Sequence, residues 1–181
     1  KQSKFVLPLA ESSLERLGAT LPDGVIVGAR GDHYFLHPET KDDAKHKQFV
    51  QKFKAKTDSY PIYSVYHMVQ AVAGLKAGYE AAMKANGGKW PTTEEVADAM
   101  HTIEFKGHGR PVKMRADGQG LEDQLLGVTK KTAKYPFPVM DQMMIIPADV
   151  TTTPVGQKSP EWVKSIKSDI LQTKVKTYSA N

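Results

Sequence analysis

The run from Ser59 to Gly88 constrains this chain more than any other segment. Ile62, Val65, Tyr66, Val69, Val72 and Ala73 recur at helical spacing. That period predicts one long helix with an apolar side. Ser59-Tyr60-Pro61 opens it, and Pro61 is expected in the first turn, where a helix tolerates proline. Asn86-Gly87-Gly88 closes it with residues that accept positive φ. Ala71, Ala73, Gly74, Ala77 and Gly78 are small enough for close packing against a sheet or a second helix.

Two further helices flank this one. From about Lys41, Phe49, Val50 and Phe53 fall on one helical face, with Lys45, Lys47, Gln51, Lys52 and Lys54 on the other. Thr92 and Glu95 stand three apart, the spacing of a capping box. Val96, Ala99, Met100 and Ile103 then make a buried stripe. Near Ser159-Pro160-Glu161 another helix is expected to start and to run through Trp162, Val163, Ile166 and Ile170.

Strand signals lie on either side of this helical block. Phe5 to Leu9 reads as the end of a strand interrupted by Pro8, and Ser12 to Leu17 as one helical turn. Val25-Ile26-Val27 follows a Pro-Asp-Gly turn and reads as a buried strand, broken by Gly28-Ala29-Arg30-Gly31. Gly107-His108-Gly109 breaks the chain again. Val112 and Met114 alternate with Lys113 and Arg115 as in a half-exposed strand, which the Asp117-Gly118 turn ends. Leu125 to Val128 and Val139 to Ile146 are further strands, with a basic turn at Lys130 to Lys134 between them. The pattern is α/β but lopsided, with long helices crowded into 41–103 and few strands to cover them. Either the helices pack on each other or strands are missing.

Composition narrows the function. The 181 residues carry 25 Lys+Arg against 20 Asp+Glu, a formal charge of +5, and no cysteine. Disulfide frameworks, thiolate metal sites and thiol catalysis are thereby excluded. Of the 25 basic residues 21 are lysines scattered along the chain, rather than clustered with aromatics as in a nucleic-acid footprint. No apolar run approaches the roughly 20 residues of a membrane span. Lys1 to Phe5 lacks the apolar stretch of a secretion signal, which fits a cytosolic chain, a processed one or an internal fragment.

Motifs of catalysis are absent. Gly156-Gln157-Lys158-Ser159 lacks the first half of a phosphate loop, and Gly107-x-Gly109 lacks the rest of a dinucleotide fingerprint. His33 and His37 stand four apart, the spacing of two metal ligands on one helical face, but Gly31 and Pro38 argue against a helix there. His101 and His108 straddle a helix end, and Glu94-Glu95 serve a helix start. No metal, cofactor or enzymatic activity is expected. The aromatics point elsewhere. Tyr60, Tyr63 and Tyr66 crowd the start of the long helix, and Tyr63 and Tyr66 share a face. Tyrosine gives an apolar wall and a hydroxyl, as a small-molecule pocket needs, although packing against a sheet uses the same residues. His33-Tyr34-Phe35 forms a second cluster in a linker after a strand.

The order of these motifs resembles a known family. "LPDGVIVGA", then "QFVQKFKAKTDSYPIYSVYHMVQAVAGLKAGYEAA", then "TTEEVADAMHTIEFKGHGRPVKMRADGQG" is similar to the later half of a type I periplasmic solute-binding protein of the branched-chain amino-acid ABC transporter family. The tail "PVMDQMMIIPADVTTTP" also looks like that family. The resemblance implies a portion of a two-lobed fold with doubly wound sheets, the first half of the chain missing. Residues 1–28 would belong to the second lobe, 29–120 to the first lobe with the long helices, and 121–181 to the second lobe again. It further implies a periplasmic protein that binds a small amino acid or an organic or aromatic acid between lobes closing on a hinge. Implied partners are the membrane subunits of an ABC transporter, and the missing N-terminal half or a swapped copy of the chain.

The resemblance carries over a few site residues. An aromatic at the start of the long helix faces the ligand in the family, which falls here on Tyr60 to Tyr63. The crossover bordering the cleft falls on His33 and Tyr34. The family's acidic partner for a ligand ammonium follows the preceding strand; here that stretch reads Leu7-Pro8-Leu9-Ala10, and Glu11 is the nearby carboxylate. That departure leaves an organic or aromatic acid as good a ligand as an α-amino acid. Two other classes stay open: a ligand-sensing regulatory domain of the same fold, and an unrelated small α/β enzyme.

Overall fold

A computed structural model describes residues 3–34, 40–170, 172 and 175–179. Phe35 and His37, noted above, lie outside the described residues. Strand β1 (Val6–Leu7) leads through a 3-10 turn at Ala10–Ser13 into the short helix α1 (Leu14–Leu17). Strand β2 (Ile26–Arg30) follows, then α2 (Ala44–Thr57), α3 (Tyr63–Ala85) and α4 (Thr93–Met100). Next come β3 (Glu104–Lys106), β4 (Pro111–Met114), β5 (Gly120–Leu121), β6 (Gln124–Lys130) and β7 (Val139–Ile146). Helices α5 (Ala148–Thr151) and α6 (Ser159–Ser165) and strand β8 (Lys176–Tyr178) complete the order.

The described strands form two sheets. A five-stranded sheet has the order β1-β2-β6-β7-β8, and a three-stranded sheet has β3-β4-β5. The pair β1–β2 is parallel, with Val6 opposite Ile26, and the other described pairs are antiparallel. The main core sits on the five-stranded sheet, where Leu14, Val27, Val139, Met140 and Met143 are fully covered. Residues on both sides of the helical block therefore meet in one sheet, and the block itself carries the smaller one.

The helix ends follow local chemistry. Asp43 caps α2 by accepting from the Lys45 and His46 amides, so the helix starts at Ala44 rather than near Lys41. The Thr92–Glu95 capping box forms as spaced, each side chain bonding the other's amide. Pro61 stands outside α3, which starts at Tyr63 after Ile62. The Glu15 carboxylate holds that entry instead, accepting from the Tyr60 amide at 2.9 Å and the Ser59 hydroxyl at 2.8 Å.

Four other expectations change. The strand starting at Val25-Ile26 does not break at Gly28 but runs to Arg30. Gly28 is there for close approach: a Cβ at that position would lie 2.5 Å from the Pro8 carbonyl oxygen. The buried stripe of α3 is Tyr66, Gln70, Gly74, Gly78 and Ala82, whereas Val72 is 63% exposed. The small residues win that face because β3 packs tightly on it, and a Cβ at Gly74 would meet the Phe105 ring at 2.8 Å. Helix α6 ends at Ser165, short of Ile170. Strands β3 and β8 were not foreseen, because each holds three residues whose partners lie elsewhere in the chain.

Candidate functional site

The segment after β2, helix α2, the entry to α3 and the β6–β7 connection converge on one cavity of about 350 Å³. That volume falls in the range of small-molecule sites, roughly 300–1,000 Å³. Its aromatic wall is a cluster. Tyr34 and Tyr60 stack with ring centroids 4.5 Å apart and planes at 20°. Tyr135 meets both rings edge-on, at 5.7 Å and 5.4 Å. Phe137 backs Tyr60 at 5.9 Å. Such offset and edge contacts are the favoured aromatic arrangements, so the wall is packed before any ligand arrives.

Cations surround that wall. Lys41, Lys47 and Lys134 line the cavity. Lys134 Nζ lies 5.5 Å from the Tyr135 ring centroid, and Lys54 Nζ lies 4.7 Å from that of Tyr60. Lys54 is fixed in turn by Glu15, to which it donates at 2.8 Å. Burial raises the Glu15 carboxyl, but the hydrogen bonds from Lys54, Tyr60 and Ser59 outweigh it and hold the group below its ordinary value.

His46 closes the floor. Its Nδ1–H donates to the Thr40 carbonyl at 3.4 Å, which leaves Nε2 to accept the Tyr66 hydroxyl at 2.6 Å. Burial pushes this imidazole down, so it stays neutral at pH 7. Burial also raises the Tyr135 phenol to about 12 and the Tyr34 phenol further, so both remain protonated. The site thus offers flat rings, hydroxyls and ammonium groups.

The sequence-predicted residues divide. Tyr34 and Tyr60 line this cavity together. His33 is fully buried beside Tyr34, with centroids 4.5 Å apart, and does not line it. Burial, with His46 nearby, pushes the His33 imidazole down to about 3, which makes it a neutral core histidine. Tyr63 turns toward His67, edge-on at 5.4 Å, outside the cavity. Glu11 is 1% exposed in the 3-10 turn after β1 and does not line the cavity either. Burial pushes its carboxyl up to about 7. Sequence reasoning missed Lys41, His46, Lys47 and Tyr135. The one available signal was Tyr135-Pro136-Phe137 directly after the basic turn.

A polar cluster marks where the chain passes between the two sheets. The Arg110 amide donates to Asp32 at 2.8 Å, and its guanidinium pairs with Asp123. Asp123 also accepts the Ala148 amide at 2.8 Å. Glu122 accepts from Gln70 at 2.7 Å and from His67 at 2.9 Å, so α3 is tied to the start of β6. Burial raises the Asp32 carboxyl to about 6 despite the Arg110 amide. No group of three His, Asp or Glu able to hold a metal occurs among the described residues.

Structural comparison gives the architecture its relatives. An ABC-type branched-chain amino acid transporter protein from Rhodopseudomonas palustris matches with a TM-score of 0.55 at 14% identity, over 83% of this chain and 36% of that one. The fold is that of part of the type I periplasmic binding-protein architecture. A periplasmic binding protein from Burkholderia mallei matches with a TM-score of 0.54 at 16% identity, over 80% of this chain and 36% of that one. An ABC transporter solute-binding protein from Rhodopseudomonas palustris BisB5, solved with 3,4-dihydroxybenzoic acid, matches with a TM-score of 0.53 at 14% identity, over 80% and 38%. The chain therefore spans little more than a third of the length of these solute-binding structures. No family model and no curated protein matches the chain. Among the described residues no helix is long and apolar enough to cross a membrane.

Proposed function

We propose that this chain is part of the extracytoplasmic, periplasmic solute-binding component of an ABC transporter. Its solute lies against Tyr34 and Tyr60. The observation that carries this reading is the origin of the cavity walls. One wall comes from Tyr34 and from residues between Lys41 and Tyr60, and the other from Lys134 and Tyr135, which follow a strand of the five-stranded sheet. A solute held there touches both parts at once and stabilises the arrangement that brings them together. Binding, without making or breaking bonds, is the work of such a site.

This reading assigns residues 1–28 and 121–181 to the second lobe and 29–120 to the first; the separation of β3, β4 and β5 from the five-stranded sheet supports it, although β2 and β5 each run across a boundary. The cluster of Asp32, Arg110, Glu122 and Asp123 lies where these segments exchange, the place where a hinge must bend. The partners of this reading are a small amino acid or an organic acid, the membrane subunits of the transporter, and polypeptide that supplies the remainder of the lobes, whether an N-terminal half or a swapped copy. Nucleic acid is not among them. Calorimetric titration with a panel of carboxylic and amino acids tests the proposal. A solute that binds the parent chain and binds Tyr60→Ala at least about tenfold more weakly, about 1.4 kcal/mol, supports it. Equal binding by the variant contradicts it.

A further inference from the structure

One wall of the cavity is held by a side chain that does not line it. Leu14 of α1 is fully buried in the core on the five-stranded sheet, so its neighbour Glu15 stands on a fixed base. The Glu15 carboxylate takes three donors from a single turn: Lys54 Nζ at 2.8 Å, the Ser59 hydroxyl at 2.8 Å and the Tyr60 amide at 2.9 Å. These donors stand 39 to 45 positions further along the chain. The turn is also shaped from within. Lys54 Nζ donates to the Asp58 carbonyl at 2.8 Å, and the Thr57 hydroxyl donates to the Phe53 carbonyl at 2.9 Å.

In the lobe division above, Glu15 belongs to the second lobe, and Lys54, Ser59 and Tyr60 belong to the first. The contact therefore crosses the division, and it ends on a cavity wall. It holds the Tyr60 backbone directly, and it holds Lys54, whose Nζ lies 4.7 Å from the Tyr60 ring centroid. The Glu15 and Lys54 side chains are 24% and 34% exposed, against 83% and 57% for Asp42 and Lys47, so solvent screens the first pair less. Apparent affinity scales with the fraction of molecules already in the binding arrangement. A bond across the division enlarges that fraction. We propose that Glu15 is a positioning residue of the solute site, a clasp that holds the Tyr60 wall to the sheet side and raises affinity for solute without touching it. This inference rests on the solute-binding reading above and goes beyond it by naming the residue that sets the two walls.

Two measurements separate the clasp from the solute. Amide exchange without solute, in the parent chain, Glu15→Gln and Glu15→Ala, reads the clasp. Exchange at residues 54–63 is expected to be about threefold faster in Glu15→Gln and about tenfold faster in Glu15→Ala, with β6 and β7 unchanged. Calorimetric titration with the panel of carboxylic and amino acids, benzoate and L-leucine among them, reads the affinity. An acid that the parent chain binds should bind Glu15→Ala about five- to tenfold more weakly. Lys54→Met should weaken it several-fold. Glu15→Gln combined with Lys54→Met should cost no more than the worse single change, because both act through one contact. Thr92→Ala, which loosens α4 away from the clasp, should leave the affinity unchanged. Unchanged exchange around Tyr60 in Glu15→Ala overturns the clasp. Faster exchange there with unchanged affinity overturns the positioning role and leaves the solute site standing. An equal loss of affinity in Thr92→Ala shows general destabilisation and overturns that role too. Binding of no acid in the panel by the parent chain overturns the solute-binding reading and the affinity half of this inference, while the exchange result still decides the clasp.

Discussion

The five-stranded sheet and helix α3 bury their apolar side chains to very different degrees. Around β2, β6 and β7, Val27, Met140 and Met143 are wholly covered, and the surrounding cluster is continuous. On α3 the covered face is made of small residues beside β3, while Met68, Val72 and Leu75 stand 66%, 63% and 50% exposed. The sheet is stabilised by what this chain contains. The outer face of α3 gains little from burial here, since apolar stabilisation scales with area removed from water.

Paired substitutions in the two regions should sharpen that contrast. Met140→Ala should cost about 2–5 kcal/mol, the usual range for emptying a buried methionine site. Val72→Ala on α3 should stay within about 0.5 kcal/mol. Urea unfolding of both variants checks the difference, and equal costs would break the comparison. Tyr66→Phe should fall between, at about 1–3 kcal/mol, because it leaves His46 Nε2 buried without its donor. The same unfolding curves measure it. Thr92→Ala should cost about 1 kcal/mol through the lost cap of α4, read from the midpoint at unchanged slope.

Much of this contrast was legible in the sequence, but not all. The C-terminal end of α3 and the start of α4 are written in local chemistry, as glycines 87 and 88 and the Thr92–Glu95 box. The strands at 125–128 and 139–146 are apolar runs long enough to read. The buried face of α3 was not legible, because its apolar residues lie on more than one side and Gly74 is covered only once Phe105 arrives from β3. Tyr34 and Tyr60 were readable as aromatics near a strand end and a helix start. Lys41, His46, Lys47 and Tyr135 join them only through the tertiary path of α2 and the β6–β7 connection. Nothing local distinguishes these lysines from the others.

The smallest expected effect is on pH dependence, and it belongs to the sheet side. Burial pushes the Glu11 carboxyl up to about 7, from an ordinary value of about 4.5. Its contribution is therefore most favourable below pH 4.5 and is lost as pH rises through about 7. Glu11→Gln should remove that part of the decline, visible as a flatter stability profile between pH 5 and 8. A profile unchanged by the substitution would show that the carboxyl titrates alike in both states.

The account's central claim is that one solute touches two parts of the chain at once. Hydrogen exchange with and without a carboxylic or amino acid that binds in the calorimetric panel measures this directly. Slower exchange in both Ala44–Thr57 and residues 131–138, with the exposed turns of α3 unchanged, is the predicted result. Protection confined to one of those two segments, or found only elsewhere, would contradict it.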